Sequence, residues 1–268
     1  MPDRNALLID SHCHLDFPDF ADLDAVLSRA AAAGVGRLIT ISTRVAKFDT
    51  YRAIAEAHDN VFFSVGTHPH QAFEEPDVSV ETLVELSKHP KCVAIGEAGL
   101  DYHYDKTPRD IAARVFRAHI AAARITQLPL VIHSRDADND MAAILEDEMA
   151  KGAFPALLHC FTSSRALAET ALRLGLSVSM SGVLTFKNSQ DLRDIAKDIP
   201  LNRLLVETDA PYLAPMPHRG KRNEPAYVAD TAKVLAEVKG VSLADITLQT
   251  TDNVLKLFTK ILSFEGVA

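Results

Sequence analysis

The stretch IDSHCHLDF, Ile9 to Phe17, places His12 and His14 one residue apart at the end of a short apolar run, with Asp10 two residues ahead. If the run is a β-strand, its side chains alternate in direction, so Asp10, His12 and His14 share one face. The two histidines then stand about 6.6 Å apart along the strand, at a rise of about 3.3 Å per residue. Both imidazoles can lean onto one metal ion from there. Cys13, between them, points to the opposite face. With Cys92 and Cys160 it reads as a small apolar packing residue rather than a ligand.

One H-x-H pair is weak on its own, because histidines end strands for ordinary reasons. The same residue types, however, end other apolar runs. His68 closes VFFSVGTH, Glu97 falls in CVAIGEAG, His133 in PLVIHSRD and His159 in PALLHCFT. Glu207 and Asp209 fall in LLVETDAP. Imidazole and carboxylate without thiolate suit Zn²⁺, Mn²⁺, Fe or Co, and with more water Mg²⁺. His12, His14, Glu97, His133, His159 and Asp209 are too many donors for one catalytic ion, which takes about three protein ligands plus water. They fit two ions sharing a bridge. Glu97 is the candidate bridge, since each carboxylate oxygen can take one ion. Two ions about 3.5–4 Å apart can activate a water and stabilise both the attacking and the leaving oxygen.

These residues converge only if the chain positions them. Eight runs rich in Val, Ile and Leu recur, beginning at Leu7, Arg37, Val61, Cys92, Pro129, Pro155, Gly175 and Leu204. Helical patterns lie between them. LDAVLSRAAAAG stops at Gly34, SRALAETALRLG starts at Ser164 and stops at Gly175, and Thr107 is a candidate N-cap for TPRDIAARVFRAHIAAARITQ. Continuous apolar strands alternating with helices imply parallel strands covered by helices. Eight such units predict a single-domain (β/α)₈ TIM barrel over residues 1–268, closed by two further helices. A doubly wound open sheet is the alternative. In the barrel, the C-terminal strand ends form one face, and there the polar residues meet.

The composition is 47% hydrophobic and 24% charged, with a net charge of −8. That balance supports a sizeable core and argues against a surface that coats nucleic acid. No run approaches the roughly 18 apolar residues of a membrane helix, and MPDRNALLID lacks the apolar region of a signal peptide. Three cysteines do not suggest a disulfide framework, so the chain reads as cytoplasmic, with no membrane and no obligatory protein partner.

The ordered motifs DSHCHLDF, VGTHPH, GEAGLDYHY, VIHSRDA, LLHCFT, LLVETDAPYLAP and RGKRNEPAYV resemble the TatD family of metal-dependent deoxyribonucleases, within the amidohydrolase-like (β/α)₈ hydrolases. The resemblance spans residues 10 to about 228. It implies hydrolysis of ester bonds in DNA with two divalent ions, Mg, Mn or Zn. By that resemblance His12, His14, Glu97 and Asp209 hold the first ion. Glu97, His133 and His159 hold the second, and Asp209 also orients or deprotonates the attacking water. Ala98 is a departure, at a place where Thr or another small residue is expected, and it bears on packing.

Phosphate chemistry also has support from the residues. PHRGKRNEP places His218, Arg219, Lys221 and Arg222 after the eighth run, and Arg135 follows close on His133. Guanidinium groups pair bidentately with phosphate oxygens. His68, Arg135 and Arg222 are therefore the candidate substrate-binding residues, for short or single-stranded DNA ends. A metal-dependent amide or ester hydrolase, such as a deacylase, is the rival on the same scaffold. It needs no cationic anchors at the mouth.

Overall fold

The structure, a computed structural model, describes residues 7–265. The chain alternates strand and helix in the order β1 (Leu8–Cys13), α1 (Leu23–Ala32), β2 (Val35–Thr40), α2 (Phe48–Ala57), β3 (Val61–Val65), α3 (Val80–Leu86), β4 (Cys92–Asp101) and α4 (Arg109–Thr126). It continues with β5 (Leu130–Arg135), α5 (Asp138–Lys151), β6 (Ala156–Leu158), α6 (Arg165–Arg173), β7 (Ser177–Met180), α7 (Gln190–Asp198) and β8 (Leu204–Val206). Helices α8 (Val228–Lys239), α9 (Leu243–Leu257) and α10 (Lys260–Glu265) follow. Among the described residues no helix is long and apolar enough to cross a membrane.

The strands form one parallel sheet in sequence order, β1 to β8. A parallel bridge between Cys13 and Ala210 brings the two ends together, and the amide of Asp209 donates to the His12 carbonyl at 2.9 Å. This is the expected (β/α)₈ barrel, and each of the eight apolar runs supplies a strand.

Local chemistry explains most element ends. The Asp22 side chain caps α1 by accepting from Ala25 N, and Gly34 leaves that helix at φ 82°. Ser164 caps α6 in the same way. Thr107 does not cap α4. That position belongs to Pro108, and the buried Thr107 hydroxyl donates to the Pro69 carbonyl at 2.7 Å, satisfying a group in the neighbouring loop.

The core has two layers. Between strands and helices lie residues such as Leu38, Phe63, Ala98, Phe116 and Val178, and Cys13 and Cys92 pack there too. Inside the barrel, Ile9, Ile39, Phe62, Val93, Val131, Leu157 and Leu205 pack against Val254, Leu255, Phe258 and Ile261 of the closing helices. In β1, β4, β5 and β8 the inner apolar residues come ahead of the polar ones, which leaves the C-terminal ends of those strands for polar side chains.

Two strands break register at the site. An extra residue is accommodated in β1 between Asp10 and Cys13, and another in β4 between Gly96 and Ala98. Such bulges re-aim side chains. Ser11 and His12 lie inside the first, and Glu97 inside the second. Gly99 (φ 154°) permits close contact of β4 with β5, because a Cβ there would lie 1.9 Å from the His133 carbonyl oxygen.

Candidate metal centre

The structure brings His12, His14, Glu97, His133, His159 and Asp209 together at the C-terminal mouth of the barrel. Glu97 lies at the centre. Its Oε2 is 3.4 Å from His12 Nε2, and its Oε1 is 2.8 Å from His159 Nε2 and 2.9 Å from His133 Nδ1. On the Oε2 side, Asp209 Oδ1 is 3.4 Å from His14 Nε2 and 3.6 Å from His12 Nε2, and the two Nε2 atoms are 3.3 Å apart. Asp209 takes a left-handed backbone (φ 58°), a conformation that Asp tolerates better than most residues.

The surrounding hydrogen bonds set which nitrogen each ring offers. His14 Nδ1 faces the Ile41 carbonyl at 3.2 Å, so it carries the hydrogen and Nε2 is the free lone pair. His159 Nδ1 faces Glu207 Oε1 at 3.2 Å, with the same consequence. His133 is reversed: Nε2 donates to Asp101 Oδ2 at 3.1 Å, and Nδ1 faces the cluster. Asp101 also accepts from His70 Nε2 and from the amides of His103 and Tyr104.

With those tautomers, imidazole lone pairs point at carboxylate oxygens across about 3 Å, which is repulsive without a positive charge between them. In the ion-free protein protons fill that role. Burial opposes charge on His159, yet Glu97 and Glu207 hold it well above the ordinary imidazole value. Burial likewise opposes charge on His14 and His133, and their carboxylate partners hold them up. Burial also opposes the Glu97 charge, but His159, His68 and His12 keep its carboxyl well below the usual range. Glu97 Oε2 is buried with no hydrogen-bond partner. An orphaned buried carboxylate oxygen, facing N/O donors and no thiolate, fits divalent cations. Triplets His12–His14–Glu97 and His68–Glu97–His133 each place donor atoms within 4.8 Å of one another.

The other predicted site residues separate. His68 and Arg135 line the same cleft. His68 Nδ1 accepts from the His70 amide at 3.0 Å, so Nε2 carries a hydrogen and is a donor pointing inward, 3.5 Å from Glu97 Oε1. Arg135 is exposed over the Tyr104 ring at 5.1 Å and has no carboxylate partner among the described residues. Arg222 lies outside the cleft lining, contrary to the placement expected from its loop. Its guanidinium is held by the Asp19 carbonyl and lies 3.4 Å from Glu224, which also pairs with Arg29. His218 stacks on Tyr227 at 3.7 Å and Arg219 covers Phe186 at 3.8 Å. The cations lining the cleft are instead Arg44, Lys47, Lys106, Arg109 and Arg135.

Asp10 departs from the simple alternation of β1. The bulge turns it toward β8, where it accepts from Thr208 N at 2.9 Å and Thr208 Oγ1 at 2.6 Å, and burial raises its pKa to about 8. Asp101 and Glu207, which orient His133 and His159, were not among the predicted site residues. Both stand in quoted motifs, GLDYHY and LLVETDAP, but orienting groups have no spacing rule of their own.

Known proteins resemble this chain along nearly its whole length. A family model described as "TatD related DNase" matches residues 9–259. The metal-dependent hydrolase YabD of Bacillus subtilis is 40% identical over 253 residues, covering 94% of this chain and 99% of that protein. The 3'-5' ssDNA/RNA exonuclease TatD of Enterobacter lignolyticus is 35% identical over 258 residues, covering 94% of this chain and 98% of that one. The crystal structure of YjjV, a TatD homologue from Escherichia coli, superposes with a TM-score of 0.88 at 32% identity, covering 95% of this chain and 99% of that chain. A family model over nearly the whole chain and full-length matches at these identities place the chain in one family: it belongs to the TatD family.

Proposed function

We propose that this metal-dependent hydrolase of the TatD family is a deoxyribonuclease that removes nucleotides from short or single-stranded DNA ends, using two divalent ions of Mg, Mn or Zn. The observation that carries the reading is the convergence, in one cleft, of the His/Glu/Asp donor cluster with Arg135, which lacks a carboxylate partner. A neutral amide or ester needs no such cation, whereas a phosphodiester does. The cleft, at about 1500 Å³, exceeds the roughly 300–1,000 Å³ of small-molecule sites and has room for a chain segment. The exonuclease name of the Enterobacter relative agrees.

His12, His14, Glu97 and Asp209 would hold one ion, and Glu97, His133 and His159 the other. Bound there, the ions would supply Lewis acidity, neutralise phosphate charge and lower the pKa of water. Asp209, whose carboxyl stays ionised against the cost of burial through its hydrogen bond to His14, is the acceptor for the proton of the attacking water. Neutral His68 donates from Nε2 to a non-bridging phosphate oxygen, and Arg135 pairs with the neighbouring phosphate. Exposed Tyr104 and Tyr212 at the same cleft offer ring faces to unstacked bases.

The test is a nuclease assay on end-labelled single- and double-stranded DNA and RNA, with chelator-stripped protein resupplied with Mg²⁺, Mn²⁺ or Zn²⁺. Loss of terminal nucleotides from single strands, restored by metal, is expected. Turnover of N-acyl or carboxyl-ester substrates with no phosphodiester cleavage under any metal overturns the reading.

A further inference from the structure

Beneath the mouth, one buried carboxylate is only half used. Glu207 is fully buried. Its Oε1 accepts from His159 Nδ1 at 3.2 Å and from the Cys160 amide at 2.7 Å, while Oε2 has no hydrogen-bond partner. Nearby, His12 Nδ1 is also buried and unpartnered, since His12 faces Glu97 and Asp209 through Nε2. Ligating atoms of His12, His159 and Glu207 lie within 4.8 Å of one another. The His12 and His159 rings are stacked, centroids 3.9 Å and planes 12° apart, so one carboxylate can serve both edges.

We infer that Glu207 is a positioning residue shared by both ion sites: Oε1 already holds His159, and the unpartnered Oε2 takes the Nδ1–H of His12, a nearby contact not made in the ion-free protein, once ions draw the rings into place. A third ion among these three residues is the poorer fit. His12 and His159 each have one nitrogen committed toward Glu97, and His159 Nδ1 already donates to Glu207. An imidazole that donates from Nδ1 presents its Nε2 lone pair to a metal, and a carboxylate acceptor raises the basicity of that lone pair. Glu207 therefore acts through His12 on the ion at the Oε2 side of Glu97, and through His159 on the ion at the Oε1 side. Asp101 acts through His133 on the second ion alone.

This inference rests on the two-ion reading but not on the identity of the substrate, so its test reads metal binding. Chelator-stripped wild type, Glu207→Gln and Asp101→Asn are titrated with Mn²⁺ by calorimetry, with circular dichroism as a check of the fold. Glu207→Gln is expected to weaken both binding steps about 10- to 100-fold, and Asp101→Asn only one. A wild-type isotherm with a single step overturns the two-ion reading itself. Two wild-type steps, of which Glu207→Gln weakens one or neither, overturn only the shared role. If the Gln variant does not fold, ¹⁵N NMR of the wild-type histidines loaded with Zn²⁺ decides. Nδ1–H on both His12 and His159 supports the inference, and Nε2–H on His12 overturns it.

Discussion

Asp101 Oδ2 stands 3.1 Å from Nε2 of His133, on the side of the ring away from Glu97, and thereby fixes Nδ1 as the nitrogen His133 offers to the cluster. Asp101→Asn keeps the shape but allows an amide N–H to face that nitrogen. The ring is then free to turn over. Affinity for one ion should fall about 10- to 100-fold, and the Tm of the ion-free protein should fall as well, because His70 and His133 lose a shared acceptor. Affinity unchanged from wild type in both binding steps, measured by calorimetry, would show that the carboxylate does not set the tautomer.

Glu97→Ala should lose both ions, because its two oxygens face opposite halves of the donor set. His159→Ala should weaken mainly one. Mass spectrometry of metal content separates the two outcomes. Retention of two tightly bound ions by folded Glu97→Ala removes the bridge assignment.

The cysteines should be dispensable for metal. Cys13 and Cys92 are buried in the outer apolar layer, and Cys160 Sγ lies 3.1 Å from Ser181 Oγ. Serine at 13 or 92 buries a hydroxyl at a cost of about 1–3 kcal/mol, seen as a lower denaturation midpoint. Serine at 160 should be better tolerated. Metal lost from a folded triple variant would reveal a thiolate ligand.

Strand binding should be confined. If two or three phosphates are engaged, log affinity against log salt should have a slope of about −1.5 to −2, at roughly −0.7 per contact for single strands. Measured in an Asp209→Asn background at one fixed divalent concentration, Arg135→Ala should flatten the slope by about 0.7. Arg222→Ala should leave it unchanged, because that guanidinium is already held by Asp19 and lies beside Glu224. The opposite ranking would put the strand on the other side of the mouth.

His119 should make the fold acid-sensitive. It is fully buried, accepts from the Thr67 amide through Nε2 and donates to the Val115 carbonyl through Nδ1. Burial lowers its pKa from 6.5 to about 4, so between those values the unfolded chain binds a proton that the folded chain does not. Stability is therefore lost as pH falls through this window, by up to about 3 kcal/mol at about 1.36 per unit. Denaturant unfolding of wild type and His119→Gln at pH 7 and pH 4.5, both with chelator, should show the shallower pH dependence in the variant. Parallel curves would contradict it.

The sequence by itself determined the eight strands, their parallel order and the six side chains that gather at the mouth. Each rests on a local pattern: continuous apolar runs four to eight residues long, helical periodicity between them, and His or carboxylate at the C-terminal end of most runs. Strand alternation is equally local, and it failed only where a bulge intervened. The extra residue between Asp10 and Cys13 sends Asp10 to Thr208 while His12 faces Glu97, and no residue type announces that shift. The tautomers of His133 and His159 depend on Asp101 and Glu207, which come from neighbouring or distant strands and meet the rings only after the barrel closes. The fate of the cations was likewise tertiary. Arg135 and Arg222 look alike in sequence, but Glu224 lies near one and, among the described residues, no carboxylate pairs with the other. Residue type fixes what a side chain can do; which partner reaches it first is settled by packing across the closed barrel.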